Sequence, residues 1–438
     1  MDYITHLFSG IFFKRNRMRY QFLLIIKLIV VFLAVILLAD WFYGSPFHSR
    51  INDYLTRADN SSILMKEMEQ SNTYRNCKGP WVKWYEQFHA QSLLKLKSAD
   101  RNNSRFLVYL CHGQHRGCGG LGNRISGIVS LFYLAMLTNR VFLINWGGPG
   151  KLENFLQPNA INWTYDGRLL QNVKMHRTYW GVSGPEPGYD DSRIEEYPKF
   201  LNWVEKENFD VLLKEDVEAI GTIWYFADQI WKNPHLSKRA KELGLPPAQD
   251  DFPFAMLGCA MDFLFKRSAF VDNKLTLARK ELGVRSRPYI GIHIRTSDHH
   301  FGSSNPFSIR TKDPKRVLEC AQRVQTIIQA KKSAEKRPIT WFLAADDAKL
   351  KESWTREFPL NVFSLKMNPQ HLEYSGKEST AFVDVLVDIY LLSESDYFIA
   401  TWDSTFSYVA MGIRGFSTKS FTYGERCTIN ETNLELAE

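Results

Sequence analysis

Short apolar runs alternate with segments of helical spacing along the chain after residue 105. Residues 106–110 (FLVYL) and 141–144 (VFLI) predict buried strands. Between them, residues 125–138 repeat apolar side chains at helical spacing. A strand, a loop, a helix and a second strand in this order predict a β-loop-α-β unit of a parallel sheet.

The same alternation returns after residue 285. The pattern there predicts strands at 289–294, 339–344 and 397–400, and helices at 314–330, 382–393 and 406–413. Residues 150–285 mix aromatic and charged stretches, and their elements are not predicted. The two alternating regions predict an α/β protein with two doubly wound sheets. The length of 438 residues also favours two folded lobes.

Near the N-terminus, residues 22–39 form an apolar run of 18 residues whose one charge is Lys27. At about 1.5 Å per residue the run spans roughly 27 Å, the thickness of a thin bilayer. Basic residues before it favour a cytoplasmic N-terminus, and a cleaved signal peptide is the alternative. We therefore predict a cytoplasmic tail at 1–21, a transmembrane signal anchor at 22–42, a lumenal stem at 43–95, an N-terminal lobe at 96–284 and a C-terminal lobe at 285–438.

Cysteines and glycosylation sequons agree with a lumenal location. All six cysteines follow the apolar run, and in an oxidising compartment they can form up to three disulfides. Cys111 and Cys118 bracket a glycine-rich loop, where a bridge would stiffen the chain. The sequence has no C-x-x-C pair, so no structural zinc site is expected. The sequons are at Asn60, Asn102, Asn162 and Asn430.

The net charge of +8 fits an anionic substrate and fits an ordinary basic surface equally well. Dense runs of Lys and Arg with interleaved aromatic residues are absent from the sequence. Nucleic acid is therefore not an expected partner.

A glycine-rich segment joins the first predicted strand to the first predicted helix. Gly117, Gly119 and Gly122 fit the pattern G-x-G-x-x-G. A dinucleotide site of this type needs an acidic residue at the end of the next strand, and Ile144 to Gly147 contain none. A tight turn before a helix is a second interpretation. We favour a third, in which the loop backbone approaches a ligand and the amides at the helix start favour negative charge.

A second polar motif lies at the end of strand 289–294. His293 and Arg295 alternate with apolar residues, so their side chains share one face. Parallel sheets bind ligands at this end, and an Arg there can hold a diphosphate through two parallel hydrogen bonds. Asp298 would orient this Arg or cap the following segment. The alternative is a buried Arg–Asp structural pair with a hydrogen-bonded His.

Two more predicted strands end in polar residues. Asp346 and Asp347 follow strand 339–344, where we favour a helix N-cap at Asp347 over a metal motif. Ser404 and Thr405 follow strand 397–400 at the start of a helix. Their amides and hydroxyls would suit phosphate oxygens, and an ordinary N-cap at Asp403 or Ser404 is the alternative.

Together these segments resemble the superfamily of α1,2-, α1,6- and protein O-fucosyltransferases. CGGLGNR, followed by an apolar helix and LTNRVFLI, is most similar to the plant xyloglucan α1,2-fucosyltransferases. His293, Arg295 and Asp298 reproduce the H-x-R-x-x-D motif of the α1,6 enzymes. LAADDAKLKE and DIYLLSESDYFIATWDSTFS resemble the same α1,6 group.

The resemblance implies a GT-B-like fold, in which two Rossmann-type lobes face a cleft and the C-terminal lobe holds GDP-fucose. It implies that Arg295 binds the β-phosphate, that His293 lies near the nucleoside and that Asp388 accepts from the guanine edge. Asn123 would reach across the cleft as a catalytic residue beside Arg295. The other residues implied at the donor are Asp298, Ser404, Thr405, Gly120, Gly122 and Arg124, with support from Asp346 and Asp347.

The implied reaction inverts the anomeric carbon and uses no metal or other cofactor. Arg295 would balance the charge that grows on the leaving GDP. The α1,6 enzymes have a Glu just after the motif, whereas this chain has HHFGSSN, which argues against core α1,6 transfer. The base stays unassigned: His299, His300 and a dissociative path are the alternatives.

The acceptor implied by CGGLGNR is a terminal galactose of a glycan or glycoprotein, joined in an α1,2 linkage. The alternatives are an α1,6- or protein O-fucosyltransferase and a non-catalytic lumenal glycan-binding protein with the same fold. With the predicted anchor, the resemblance implies a single-pass type II protein of the Golgi membrane whose catalytic domain is lumenal.

Overall fold

The computed structural model describes a large part of the chain after residue 76. The ranges are 77, 79–97, 104–111, 118–170, 173–180, 190–192, 196–248, 254, 256–283, 288–296, 311, 313–331, 339–366, 380–415 and 420–423. They lie within one compact unit, Ala58–Glu438. In these ranges no helix is both long and apolar enough for a membrane span. The predicted tail at 1–21 and anchor at 22–42 lie outside them.

The strands and helices of these ranges are numbered in chain order. The strands are β1 (Phe106–Cys111), β2 (Val141–Trp146), β3 (Leu156–Pro158), β4 (Met175–Trp180), β5 (Asp190–Ser192), β6 (Val217–Thr222), β7 (Phe265–Arg267), β8 (Tyr289–Ile294), β9 (Thr340–Ala345), β10 (Val362–Phe363), β11 (Tyr397–Thr401) and β12 (Ser420–Tyr423). The α-helices are α1 (Pro80–Lys97), α2 (Leu121–Leu137), α3 (Tyr197–Val204), α4 (Phe209–Leu212), α5 (Ser237–Glu242), α6 (Leu257–Leu264), α7 (Ala269–Leu282), α8 (Pro314–Lys331), α9 (Ala348–Glu357), α10 (Thr380–Ser393) and α11 (Thr405–Arg414).

Two parallel sheets form the framework of the described chain. One has the strand order β2-β1-β6-β4-β5 and the other β10-β9-β8-β11-β12. All neighbours within each sheet pair in parallel. β3 and β7 form a separate antiparallel pair. The predicted α/β class with parallel sheets is therefore confirmed, while the lobe boundary at residue 285 stays a prediction.

The predicted elements on both sides of residues 150–285 are present with small shifts of their ends. The largest shift is at α2, which begins at Leu121 rather than at residue 125, with Gly120 as its N-cap. Almost every residue of α2 is buried. It lies between its own sheet and the helices α6 and α11. The first turn contains Gly122, Asn123 and Arg124, so the apolar repeat that predicts the helix begins only at residue 125.

Alternate residues of β8 face opposite sides of the second sheet. Ile290, Ile292 and Ile294 belong to an apolar core with α8 and α9. Gly291 and His293 lie on the opposite face, and Gly291 is close to Ser395 and Leu392. The alternation therefore points His293 away from that core and toward α10 and α11.

Helix α1 packs into the body of the protein. Its residues Trp81, Tyr85 and His89 are spaced at i, i+4 and i+8, and all are buried. The Tyr85 hydroxyl donates to the Arg140 carbonyl at 2.9 Å and accepts from the Phe142 amide at 3.0 Å. The predicted boundary between the stem and the first lobe, at residues 95–96, falls inside this helix.

His89 completes the attachment of α1 to β2. Its Nε2 donates to the Phe142 carbonyl at 3.0 Å. Burial lowers the pKa of His89 to about 4, and the bond to Phe142 opposes this shift in part. The ring is therefore neutral at neutral pH.

Two disulfides are described in full. Cys77 and Cys259 bridge the start of the described chain to α6, with Cα atoms 5.3 Å apart. Cys111 and Cys118 bridge the two ends of the glycine-rich loop, at 5.6 Å, as considered from the sequence. Cys320 is also disulfide-bonded. Both Cα separations are ordinary for disulfides.

One of the predicted glycosylation sites falls in the described ranges. Asn162 is exposed, and its Oδ1 accepts from the Thr164 amide at 3.3 Å. The sequons at Asn60, Asn102 and Asn430 lie outside the described residues.

Candidate functional site

Three neighbouring strands of the second sheet, β9, β8 and β11, end beside one another. Arg295 follows β8, and Thr401 is the last residue of β11. The Thr401 hydroxyl donates to the His293 carbonyl at 2.7 Å and accepts from the Arg295 amide at 3.0 Å. This hydroxyl fixes the backbone at the point where Arg295 leaves the sheet.

Asp346, which follows β9, holds the same loop from the other side. Its carboxylate accepts from Arg295 Nη1 at 3.1 Å, and from the Thr296 amide and hydroxyl at 2.8 and 2.9 Å. The Asp346 side chain is 5% exposed and that of Arg295 is 19% exposed. Asp346 thus orients a guanidinium that still reaches the surface. Asp298, which was predicted to orient Arg295, lies outside the described residues.

The neighbouring Asp347 has a different task. Its side chain is the N-cap of α9 and accepts from the amides of Lys349 and Leu350 at 2.8 and 3.3 Å. The helix-cap interpretation of this acid is confirmed. Asp346 is thus the acid of the pair whose described hydrogen bonds hold the predicted anion-binding loop.

His293 links β8 to α11. Its Nδ1 lies 2.7 Å from the Ser407 hydroxyl, and its ring stacks on Phe406 with centroids 4.6 Å apart. Ser407 Oγ also accepts from the Thr401 amide at 3.1 Å. Burial, together with the charge of Arg295, lowers the pKa of His293 to about 3. The ring is neutral, and Nδ1 is engaged, so Nε2 is the nitrogen that can meet a ligand.

The N-terminus of α11 has features that favour an anion. Ser404 occupies the N-cap position, yet its side chain makes no capping hydrogen bond. The first amides of a helix have no partner inside the helix and carry the positive end of its dipole. Asp403 precedes the cap with a φ of 54°, and the Tyr408 hydroxyl accepts from its amide at 2.9 Å. The loop before α11 is therefore held with its amides presented for an anion.

The N-terminus of α2 meets the N-terminus of α11. A Cβ added to Gly122 would lie 2.7 Å from the Thr405 carbonyl carbon and from the Phe406 nitrogen. Asn123 Oδ1 accepts from the Thr405 hydroxyl at 2.7 Å. At Gly122 the backbone closely approaches another helix, while the predicted approach of the glycine-rich segment to a ligand stays a prediction. Two positive helix ends converge here, which strengthens the preference for an anion.

Arg124 is buried and contacts the described end of the glycine-rich segment. Its Nε donates to the Gly119 carbonyl at 3.0 Å, and Nη1 donates to the Gly148 carbonyl. The guanidinium lies 4.7 Å from the centroid of the Trp146 ring. These contacts join Gly119 to the segment after β2, and the predicted contact of Arg124 with a donor stays a prediction.

Asp388 lies inside the protein on α10. It is 4% exposed, and its Oδ1 has no hydrogen-bond partner among the described residues. Burial raises the pKa of Asp388 to about 7, with Lys351 opposing the shift and Asp384 adding to it. A buried carboxylate oxygen without a donor is costly unless a ligand supplies one.

Three residues that contact His293 or Arg295 were not predicted from the sequence: Thr401, Phe406 and Ser407. Thr401 follows a predicted strand, at the edge where parallel sheets bind ligands. Phe406 and Ser407 lie within a helical pattern, where nothing in the local sequence distinguishes a site residue from a packing residue.

The site combines three chemical features. Arg295 and the N-terminus of α11 can bind a diphosphate through charge-assisted hydrogen bonds. Neutral His293 offers a ring edge beside them. Asp388 can accept from a heterocycle with N–H donors. An anionic nucleotide fits this set.

Comparison with known proteins agrees with the predicted resemblance. The family model described as GDP-fucose protein O-fucosyltransferase matches residues 259–417. The model described as xyloglucan fucosyltransferase matches residues 43–167. The first range contains Arg295, Asp388 and α11, and the second contains the glycine-rich segment. The resemblance to the fucosyltransferase superfamily, with plant xyloglucan-type similarity in the N-terminal part, is confirmed.

Individual relatives are distant. Fucosyltransferase 2 of Arabidopsis thaliana is 23% identical over 423 residues, covering 86% of this chain and 74% of that protein. Among solved structures, a mutant of Arabidopsis thaliana FUT1 in complex with GDP has a TM-score of 0.51 at 17% identity, covering 78% of each chain. NodZ from Bradyrhizobium has a TM-score of 0.41 at 17% identity, covering 70% of this chain and 92% of that one. The FUT1 structure shows that the fold is shared.

Proposed function

We propose that this protein is a GDP-fucose-dependent glycosyltransferase that transfers fucose to a glycan acceptor. The observation that carries the proposal is Arg295, held by Asp346 in the part of the chain that matches an O-fucosyltransferase model. The α11 N-terminus and the unsatisfied Oδ1 of buried Asp388 lie in the same part of the chain. The fucosyltransferase descriptions of both family models and of the Arabidopsis relative support the sugar.

In the proposed donor complex, each group acts on one part of GDP-fucose. Arg295, held by Asp346, binds the β-phosphate, and Ser404 and Thr405 bind phosphate oxygens. Asp388 accepts from the guanine N–H groups, and His293 lies beside the nucleoside. This arrangement uses Asp388 Oδ1, which no described residue satisfies, and the first turn of α11, whose N-cap residue Ser404 makes no side-chain capping bond.

Catalysis in this proposal is stabilisation of the leaving group. As the glycosidic bond breaks, negative charge grows on the β-phosphate while the fucose ring gains oxocarbenium character. Arg295 and the helix dipoles of α11 and α2 are already oriented toward that charge before the reaction begins, so these groups need little reorganisation. We propose inversion at the anomeric carbon by this route, with the acceptor bound on the side of the first sheet, near Asn123.

The proposed fold is GT-B-like, with two Rossmann-type lobes and a cleft between them. The two parallel sheets and the shared fold with FUT1 support it. We further propose an α1,2 linkage to galactose, because the xyloglucan-type match includes the glycine-rich segment. A type II arrangement in the Golgi membrane, with residues 22–42 as anchor, completes the proposal and rests on the apolar run alone.

The test is Arg295→Ala in the full-length protein, assayed in membranes for transfer from GDP-fucose to a panel of glycans. We expect the rate to fall about 100- to 1,000-fold, as for loss of a transition-state charge partner. Arg295→Lys should recover only part of it, because an ammonium cannot form the bidentate contact. The exposed Arg323→Ala on α8 is the matched control. Full activity of Arg295→Ala would refute the assignment, and no transfer by the unmodified protein to any glycan would refute the function.

A further inference from the structure

The carboxyl edge of the first sheet carries aromatic and acidic side chains that the proposed donor site does not use. β6 is the middle strand of that sheet, and the segment after it contains Trp224, Tyr225 and Asp228. Trp224 and Asp228 are partly exposed, whereas Tyr225 is buried. Open parallel sheets bind their ligands at the carboxyl ends of the strands, so this segment stands where a ligand contact is expected.

Helix α2 joins this segment to the proposed phosphate site. The Phe226 amide donates to Ser130 Oγ, on α2, at 2.8 Å. Asn123, in the first turn of the same helix, accepts from Thr405 at the start of α11. Asn123 and Ser130 are seven residues apart. At about 1.5 Å per residue, the two contacts are thus separated by about 10 Å along the axis of α2.

A series of ring contacts ties the same segment to the loop before α11. The centroids of the Tyr225 and Phe254 rings are 4.0 Å apart, and those of Phe254 and Tyr408 are 5.4 Å apart. The Tyr408 hydroxyl accepts from the Asp403 amide at 2.9 Å. Tyr225 is therefore packed, through one intervening ring, against the helix whose N-terminus we propose to bind phosphate. The segment after β6 borders the proposed donor site on the side of the first sheet.

Trp224 and Asp228 are held in place by their neighbours. The Tyr197 hydroxyl donates to the Tyr225 carbonyl at 2.6 Å, and the Tyr197 ring lies 5.4 Å from that of Trp224. Trp224 also packs on buried Phe200, with centroids 4.9 Å apart. The Tyr225 hydroxyl donates to Asp228 Oδ1 at 2.9 Å. The indole ring and the carboxylate are thus fixed within one segment of five residues and still reach the surface.

These two groups suit a neutral sugar. The face of an indole ring is electron-rich, so the C–H groups of a pyranose ring pack well against it. A carboxylate accepts from sugar hydroxyls through charge-assisted hydrogen bonds. The same carboxylate repels a phosphate, which disfavours the diphosphate of the donor here. The chemistry of the segment therefore matches the uncharged acceptor.

We propose that Trp224 and Asp228 form an acceptor subsite that holds the terminal hexose of a glycan. Trp224 packs against one face of the sugar ring, and Asp228 accepts from one of its hydroxyls. This inference rests on the proposed function and deepens it, because that function places the acceptor only near Asn123. Both residues bind and position the acceptor, and neither is assigned a proton-transfer step.

The test measures acceptor binding and donor binding separately in the full-length protein. A galactose-terminated oligosaccharide is titrated by calorimetry in the presence of saturating GDP, and GDP is titrated alone. Trp224→Leu should weaken oligosaccharide binding about tenfold through loss of the ring contact. Asp228→Asn should weaken it about 10- to 100-fold through loss of a charge-assisted hydrogen bond. GDP binding should stay unchanged in both variants.

The chain offers a matched control for each variant. Trp84 is also a partly exposed tryptophan that stacks on a neighbouring ring, that of Phe88. Its helix, α1, bonds to Arg140 and Phe142 at the start of β2, which is the opposite edge of the first sheet. Trp84→Leu should therefore leave oligosaccharide binding unchanged. Asp210→Asn, at an exposed position of α4, is the control for Asp228→Asn.

Asp228→Asn keeps the size of the side chain and an acceptor for Tyr225, so it tests the subsite even where Trp224→Leu folds poorly. Oligosaccharide binding no tighter in the unmodified protein than in Asp228→Asn would overturn the inference. Equal weakening of oligosaccharide and GDP binding would overturn it as well. Binding of the oligosaccharide through these residues without any transfer of fucose would instead refute the proposed function, so the two failures are distinguishable.

Discussion

The Thr405 hydroxyl donates a 2.7 Å hydrogen bond to Asn123 Oδ1, although the two residues are 282 positions apart in the chain. The bond joins the first turn of α11 to the first turn of α2. It ties the proposed phosphate site of the second sheet to the glycine-rich segment of the first. The distance between the two helix ends therefore depends on a contact between two residues of the proposed donor site.

Removing this bond should weaken donor use without unfolding the protein. For Thr405→Val, which keeps the shape and deletes the hydroxyl, we expect kcat/KM for GDP-fucose to fall about tenfold or more. Asn123→Ala should act through the same bond, so the double variant should lose less than the product of the single losses. Thr326→Val, which removes an exposed hydroxyl on α8, is the control. Strictly multiplicative losses would show that the bond does not couple the two residues.

Gly122 should not tolerate a methyl group. In Gly122→Ala the new Cβ meets the backbone of Thr405 and Phe406, so α2 and α11 must separate. Overpacking of this kind costs about 1–3 kcal/mol, and here it also displaces the α11 amides. We expect a lower melting temperature and weaker GDP binding, measured by thermal shift with and without GDP. Gly167→Ala is the control, because its Cβ would approach no atom closer than 3.6 Å. Unchanged GDP affinity in Gly122→Ala would contradict the close packing.

Substitutions of the adjacent acids Asp346 and Asp347 should have different effects on fucose transfer. Asp346→Asn replaces one carboxylate oxygen with an amide nitrogen that opposes the donors of Arg295 and Thr296. We expect about a 100-fold loss of transfer, by analogy with losing the charge partner itself. Asp347→Asn should change little, because Asn is as good an N-cap as Asp. Transfer rate and melting temperature, measured for both variants, test this. Comparable activity of the two variants would mean that Asp346 does not position Arg295.

Acid should destabilise the protein through its buried histidines. The pKa of His89 is about 4 and that of His293 about 3 in the folded state, below the ordinary value of 6.5. At a pH between each folded-state pKa and 6.5, the histidine binds a proton in the unfolded chain but not in the folded chain. The free energy of unfolding therefore falls as the pH falls below about 6.5. His89→Gln keeps a side-chain donor for the Phe142 carbonyl and removes one titrating group.

We expect His89→Gln to reduce the slope of unfolding free energy against pH, between pH 6.5 and 4, by about 1.4 kcal/mol per pH unit. Urea unfolding at a series of pH values measures this slope. His235→Gln, at an exposed position, is the control and should leave the slope unchanged. A slope for His89→Gln equal to that of the unmodified protein would show that His89 is not neutral in the folded state.

Much of the framework is predictable because the signals are local. β8 alternates apolar residues with Gly291 and His293, and the period of two along a strand assigns these to opposite faces whatever lies around them. The helix before β11 and the glycine before α2 are also local patterns. The α1 helix had a usable signal too, in the spacing of Trp81, Tyr85 and His89. Most of this helix falls in the predicted stem, because nothing in the sequence shows that β2 covers the face formed by these three residues.

The elements between residues 150 and 285 were not predicted, for a related reason. β4 and β6 are central or near-central strands, yet β4 reads MHRTYW and β6 reads VEAIGT, with polar residues among the apolar ones. Glu218 of β6 is buried because it bonds to His176 of β4 at 2.6 Å. A buried strand is recognised by a continuous run of apolar residues. A buried polar residue interrupts this run, and the partner on another strand that satisfies it is not visible in the local sequence.

The sequence by itself determined which chemistry-bearing residues stand at the ends of strands and the starts of helices, since strand and helix periods are properties of a few neighbouring residues. The tertiary structure decided what each of them does. Asp346 holds Arg295 while Asp347 caps a helix, and Asn123 bonds to Thr405. Such pairings depend on the order of strands and the packing of helices, which no local pattern contains.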